Sequence, residues 1–263
     1  MLLLTAVASA TVVAQQKSDL VGSYLVRQEW GGARITLKNN GTFTAESGGC
    51  TGATIQYGPY SLSNNVVRFK TVKLTWRSND SKKQIDLTKK KARKEILDTD
   101  EPFTPDSWEL KIVRWGERLY LLDEEEFGHF IEATNLGFEP RTVEGYRAFY
   151  GEIYLREGDE NKPASGPPPL PAEFLHRLLP APVIATIVEI KKEGENLIAT
   201  IDRGSADGLR KKMTLVSTIP TLDYRAFWIE SLTEHSAQLV VFGDLKVGDQ
   251  LTTRIADVRR YAE

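Results

Sequence analysis

Between residues 183 and 255 six short runs alternate apolar and polar side chains, at 183–190, 196–202, 213–218, 226–231, 238–242 and 250–255. Turn signals separate them: Glu193-Gly194-Glu195-Asn196, the stretch from Gly204 to Gly208, and Val247-Gly248-Asp249. Runs this short and this close, with no long helical period among them, leave the chain few folds. An open sheet of such strands would present two unpaired edges. The spacing therefore predicts a small closed or nearly closed β-barrel over residues 183–256.

Seven of the twelve prolines lie in 163–182, which marks the clearest boundary in the chain. Consecutive prolines fix an extended path and remove backbone donors, so 161–182 reads as a linker. Within it, 172–179 has room for two helical turns started after Pro171, presenting Phe174, Leu175 and Leu178. Upstream, a second domain over 18–160 is built of period-2 runs at 21–28, 33–38, 42–46, 66–70, 109–114 and 118–122. Ile35 and Leu37 share a face, as do Leu110 and Ile112. Asn39-Asn40-Gly41 supplies a tight hairpin turn, and Asn64-Asn65 a weaker one. One helix interrupts the series at 123–136: Asp123 caps it, three glutamates favour its first turn, Phe127, Phe130 and Ile131 share a face, and Gly137 stops it. It is expected to cover the sheet or a barrel opening. Residues 148–156 alternate again and complete the domain.

Composition narrows function more than fold. A net charge of -2 over 263 residues and a pI near 6.0 provide no basic field for nucleic acid. Residues 1–14 carry no charge and end in Val12-Val13-Ala14 before Gln15-Gln16-Lys17, the pattern of a secretory signal cleaved after Ala14. The competing reading is a buried N-terminal strand. Later runs are too short to span a bilayer as helices, so no integral anchor is expected after cleavage. The single cysteine, Cys50, excludes an intramolecular disulfide and lacks the sequence context of a lipid anchor.

Two local motifs carry resemblances. Leu20-Val21-Gly22-Ser23-Tyr24, then residues 35–43 with Asn39-Asn40-Gly41, then Gly58-Pro59-Tyr60 onward to Phe69, resemble the opening of bacterial lipocalin-like domains, with Tyr24 in place of the commoner Trp. The resemblance implies an up-and-down meander able to hold an apolar ligand. Residues 202–213, with Asp202, Gly204, Asp207, Gly208, Leu209 and Met213, and later Lys246-Val247-Gly248-Asp249, look like the small β-barrels of flagellar-assembly and cell-shape proteins of the bacterial envelope. Lys212 stands where that pattern has glycine. The combination, including residues 113–121, is also similar to exported bacterial proteins of unassigned function.

Candidate chemistry is sparse. Cys50 with His129 or His235 and an acid such as Asp207 is the nucleophilic arrangement the composition offers, and it defines the hydrolase alternative. Cys50 sits among glycine-punctuated strand and turn, away from any helix start that would activate it. His129, His176 and His235 show no metal-ligand spacing. Glu124, Glu125 and Glu126 have a helix-dipole explanation, while Glu157, Asp159 and Glu160 read as a polar loop. The lysine-rich run 89–94 reads as a solvated connector followed by acids.

The sequence thus describes a mainly β, two-domain protein: a lipocalin-like sheet or barrel with one covering helix, and a small C-terminal β-barrel. The expected role is an exported, periplasmic or extracellular, non-catalytic binding or structural module, without cofactor or metal. Its expected partner is an envelope protein or polymer. The alternative is a carrier of a small apolar ligand lined by Leu25, Ile35, Phe43 and Phe69.

Overall fold

A computed structural model describes residues 18–28, 31–49, 52–78, 82–89, 106–137, 140, 153–219 and 226–254. The 1–14 segment, Cys50, most of the lysine-rich run and the first half of 148–156 lie outside the described residues. The chain divides into two compact units, Met1–Phe127 with Arg141–Leu170, and Gly128–Pro140 with Pro171–Glu263.

The first unit is a closed, eight-stranded antiparallel barrel with a hairpin attached. Its ring strands are β1 (Gly22–Gln28), β2 (Gly31–Leu37), β3 (Thr42–Gly49), β4 (Gly52–Ser63) and β5 (Val66–Lys70), followed later by β8 (Ser107–Trp115), β9 (Arg118–Leu122) and β10 (Ile153–Arg156). Each pairs with the next, and β10 returns to β1 through Tyr24 opposite Arg156 and Leu25 opposite Leu155. The remaining pair, β6 (Lys73–Ser78) and β7 (Lys82–Asp86), extends outward from the first half of β4. Alternation decides what fills the ring. Tyr24, Val26, Ile35, Leu37, Phe43, Ala45, Val67, Phe69, Leu110, Leu119, Leu121 and Tyr154 form one buried cluster, with exposed or half-buried residues interleaved along β2 and β3. This mainly β, up-and-down ring is compatible with a lipocalin-like fold. Asn64 and Asn65, at φ of 51° and 59°, form the two-residue β4–β5 turn with both central residues left-handed, so this turn is tighter than its sequence suggests.

The second unit contains a closed, six-stranded barrel: β11 (Ile184–Glu193), β12 (Asn196–Ile201), β13 (Thr214–Ser217), β14 (Ala226–Leu232), β15 (Ala237–Val241) and β16 (Gln250–Thr252), in ring order β11-β12-β15-β14-β13-β16. Ala185, Ile187, Ala199, Ile201, Leu215, Phe227, Ile229, Leu239 and Leu251 fill it. Register shifts at Ile187/Glu189 and Ile229/Ser231 bend the strands enough to close so small a ring. The turn at 204–208 behaves as its residues require. The Gly204 N–H donates to Asp207 Oδ2 at 2.9 Å, and a Cβ at Gly204 would sit 2.5 Å from the Glu234 carbonyl oxygen.

The helix reads as its sequence dictates. Asp123 Oδ1 accepts from the Glu125 N–H at 3.0 Å, a 3-10 turn at Glu124–Glu126 follows, and α1 (Phe127–Leu136) ends at Gly137 with φ of 81°. Although the sequence places this helix within 18–160, Gly128–Pro140 groups with the second unit. The proline-rich stretch also divides. Up to Leu170 it is held in the first unit, where Pro163 O accepts from Glu117 N at 3.2 Å and Gly166 O from Trp115 Nε1 at 2.8 Å. From Pro171 it belongs to the second unit, with α2 (Ala172–Leu175) shorter than the two turns expected. No helix among the described residues is long and apolar enough to cross a membrane.

Candidate functional site

Of the four residues expected to line an apolar site, Ile35, Phe43 and Phe69 meet inside the first barrel, each 1% exposed. Leu25 does not join them. It alternates with Tyr24 and Val26, which take the inward positions, so its side chain lies on the other face of β1. Three consecutive apolar residues leave the inward face of β1 ambiguous in the sequence. The interior is packed by its own rings. Phe43 meets Phe69 edge-on at 4.9 Å, and Phe69 stacks on Trp108 at 3.9 Å. Tyr24 Oη donates to Leu20 O at 2.8 Å and Tyr60 Oη to Lys38 O at 3.1 Å, which satisfies both buried phenols.

A polar network fastens the same barrel. Asp159 is buried and accepts four hydrogen bonds: Lys162 Nζ at 2.6 Å, Arg156 Nε and Nη2 at 3.0 and 3.2 Å, and the Leu119 N–H at 3.0 Å. Burial by itself would raise its pKa. The bonds from Lys162 and Arg156, the Arg156 charge and the Leu119 N–H outweigh it and hold the carboxyl below its ordinary 3.8. Asp159 lies in the loop that the sequence predicts, and from there it ties the start of β9 to the chain leaving β10. The 156/159/162 spacing of Arg, Asp and Lys was the available signal.

The second unit holds a cavity of about 370 Å³. Ile131, Glu132 and Asn135 of α1 form one wall, and the turn from Arg210 to Met213 forms another. Asn135 secures the frame: its Nδ2 donates to Arg177 O at 3.1 Å and its Oδ1 accepts from the Leu179 N–H at 2.8 Å. Arg210 is pinned by donating to His176 O at 2.8 Å and to Arg177 O. Burial first, and the charge of Arg177 second, hold its guanidinium below the ordinary pKa. Lys212 has a φ of 65°, a left-handed conformation that costs a side-chain-bearing residue about 1 kcal/mol.

No protein-family model, curated protein or solved structure matches the chain.

The remaining chemical candidates do not converge in the described residues. His129, His176 and His235 are exposed, and His235 lies 3.8 Å from Glu234. Asp207 serves its own turn. Glu124 pairs with Lys111 at 3.1 Å. No three His, Cys, Asp or Glu side chains are grouped for a metal ion among the described residues. Sequence reasoning missed the basic cavity, because Arg177 lies more than thirty positions before Arg210-Lys211-Lys212, and that run of three reads by itself as a solvated turn.

Proposed function

We propose that this chain is an exported, non-catalytic binding or structural module of the bacterial envelope or extracellular space, whose partner is an envelope protein or polymer. The reading takes the N-terminal barrel as lipocalin-like and the C-terminal one as akin to the small barrels of flagellar-assembly and cell-shape proteins. One observation carries it: the ring interior is occupied by Phe43, Phe69, Trp108, Tyr24 and their neighbours, so recognition falls to outer surfaces. That same packing favours the binding module over carriage of an apolar molecule among Ile35, Phe43 and Phe69. The uncharged opening segment and its small-residue end support export.

Native mass spectrometry of unheated, full-length protein tests the choice. The bare chain mass is expected, together with repeated recovery of one partner by crosslinking in envelope extract. A co-purified apolar molecule, with no partner recovered, would replace this reading by the carrier. Cys50→Ser is expected to leave partner recovery and melting unchanged, and its loss of a measurable hydrolysis with the fold intact would make the chain an enzyme.

A further inference from the structure

Among the described residues that line it, the cavity of the second unit brings four cations, Arg177, Arg210, Lys211 and Lys212, together with one carboxylate, Glu132. Among the described residues none of the four makes an ion pair. Arg210 spends two donors on neutral carbonyls, which orient it without cancelling its charge. The Arg177 guanidinium is held over α1, where both Nη atoms would lie 3.7 Å from a Cβ on Gly128. Cations gathered on one cavity lining repel one another unless an anion joins them, and Arg177 already acts on Arg210 in this way. The lining is not wholly polar, since Ile131, Leu136 and Met213 also face the cavity. Its volume of about 370 Å³ falls within the range of small-molecule sites. Lys212 adds a second, independent oddity: a position whose backbone suits glycine carries a cation in the lining of this cavity.

We propose that this cavity binds a phosphate monoester with a compact apolar body, its phosphate held by Arg177, Lys211 and Lys212 and its body against Ile131 and Met213. A monoester phosphate carries nearly two negative charges at neutral pH and three acceptor oxygens, which suits four cations offset by one acid. The proposal does not rest on the protein- or polymer-binding reading and stands whether or not that reading does.

Met213 makes the test specific, because the only other methionine is Met1. In full-length protein labelled at methionine methyl groups, phenyl phosphate is expected to shift the Met213 signal saturably. Inorganic phosphate should bind more weakly, and phenol should leave the signal in place. Dihexanoyl phosphatidic acid, kept below its micelle concentration, separates sources: a shift supports a lipid headgroup, and none beside a phenyl phosphate shift supports a soluble phosphate ester. Lys212→Gly is expected to raise the melting point by about 2–4 °C while weakening phenyl phosphate about tenfold. A lysine present only to turn the chain would gain the stability and lose no affinity. Lys211→Gln, at an exposed residue, should weaken binding similarly without a change in melting, and Glu132→Gln should tighten it severalfold. The proposal falls if phenyl phosphate gives no saturable shift, if phenol shifts Met213 equally, or if both lysine variants bind as the parent does.

Discussion

At Asp159, three donors from two cations and one from the backbone meet on a side chain 1% exposed. Arg156 and Lys162 remain partly solvated, so Asp159→Asn removes charge-assisted bonds without stranding a fully buried cation. A loss of about 2–3 kcal/mol is expected in denaturant unfolding at neutral pH. The folded pKa is depressed, so this contribution is fully present above the unfolded value of about 3.9 and disappears as pH falls through the folded one. The gap between parent and variant should therefore be constant from about pH 5 upward and close in stronger acid; a gap that persists at low pH would contradict the ionic origin. Tyr24 has the opposite sense. Burial raises it well above its ordinary 10.0, against the opposing charges of Arg156 and Arg114, so the fold holds it neutral. Stability from this group is intact below the unfolded value of about 10 and is lost as pH climbs toward the folded one. Alkaline unfolding should be less steep in Tyr24→Phe, which itself costs about 1 kcal/mol through the orphaned Leu20 carbonyl.

Among the elements, β4 has the most demanding job. Residues 52–57 pair with both β3 and β6, whereas 60–63 pair with β5, and the handover occurs at Gly58-Pro59. A Cβ on Gly58 would lie 1.8 Å from the Lys70 carbonyl oxygen and 3.2 Å from the Phe43 ring. Neither can retreat without opening the ring or disturbing the Phe43–Phe69 contact. Gly58→Ala is expected to cost about 3 kcal/mol, at the upper end for overpacking, and thermal melting followed by near-UV CD reads it through the aromatic cluster. A melting point equal to the parent's would mean that the strand crossing is looser than its geometry. At the helix, the Asp123 cap serves one N–H, and Asp123→Ala should remove about 1 kcal/mol by the same measurement.

For the molecule as a whole, each barrel closes its own hydrogen-bonded ring, and the large apolar clusters fall within single units. A fragment starting at Pro171 has about ninety residues and a complete six-stranded ring, a size at which a core needs no disulfide or metal. It is expected to give a β-type far-UV CD spectrum and a cooperative melt. It lacks Asn135, so the bonds to the Arg177 carbonyl and the Leu179 N–H are gone, and its melting point should be lower than that of the same barrel in the full chain. A fragment that stays soluble only as unfolded chain would show that the ring depends on residues outside it.

Local chemistry was enough to place most strands and the helix. Alternation located 66–70 and 118–122 without error, all six strands of the second barrel were legible within a few residues, and Asp123 and Gly137 bounded the helix, because side-chain period, caps and left-handed turn residues act over a few positions. The hairpin of β6 and β7 was hidden in a charged stretch, since only Leu74, Ile85 and Leu87 form its small apolar cluster. What closes the first ring is a pairing of Tyr24 and Leu25 with residues 155–156, and no local preference encodes a contact at that separation. The same closure turns Tyr24 and Val26 inward and Leu25 outward, makes the loop acid Asp159 a buried tie, and in the second unit folding gathers Arg177 with 210–212 around one cavity. Those outcomes depend on which distant segments share a barrel, a choice made by burial and backbone pairing over the whole chain rather than by any residue's own propensity.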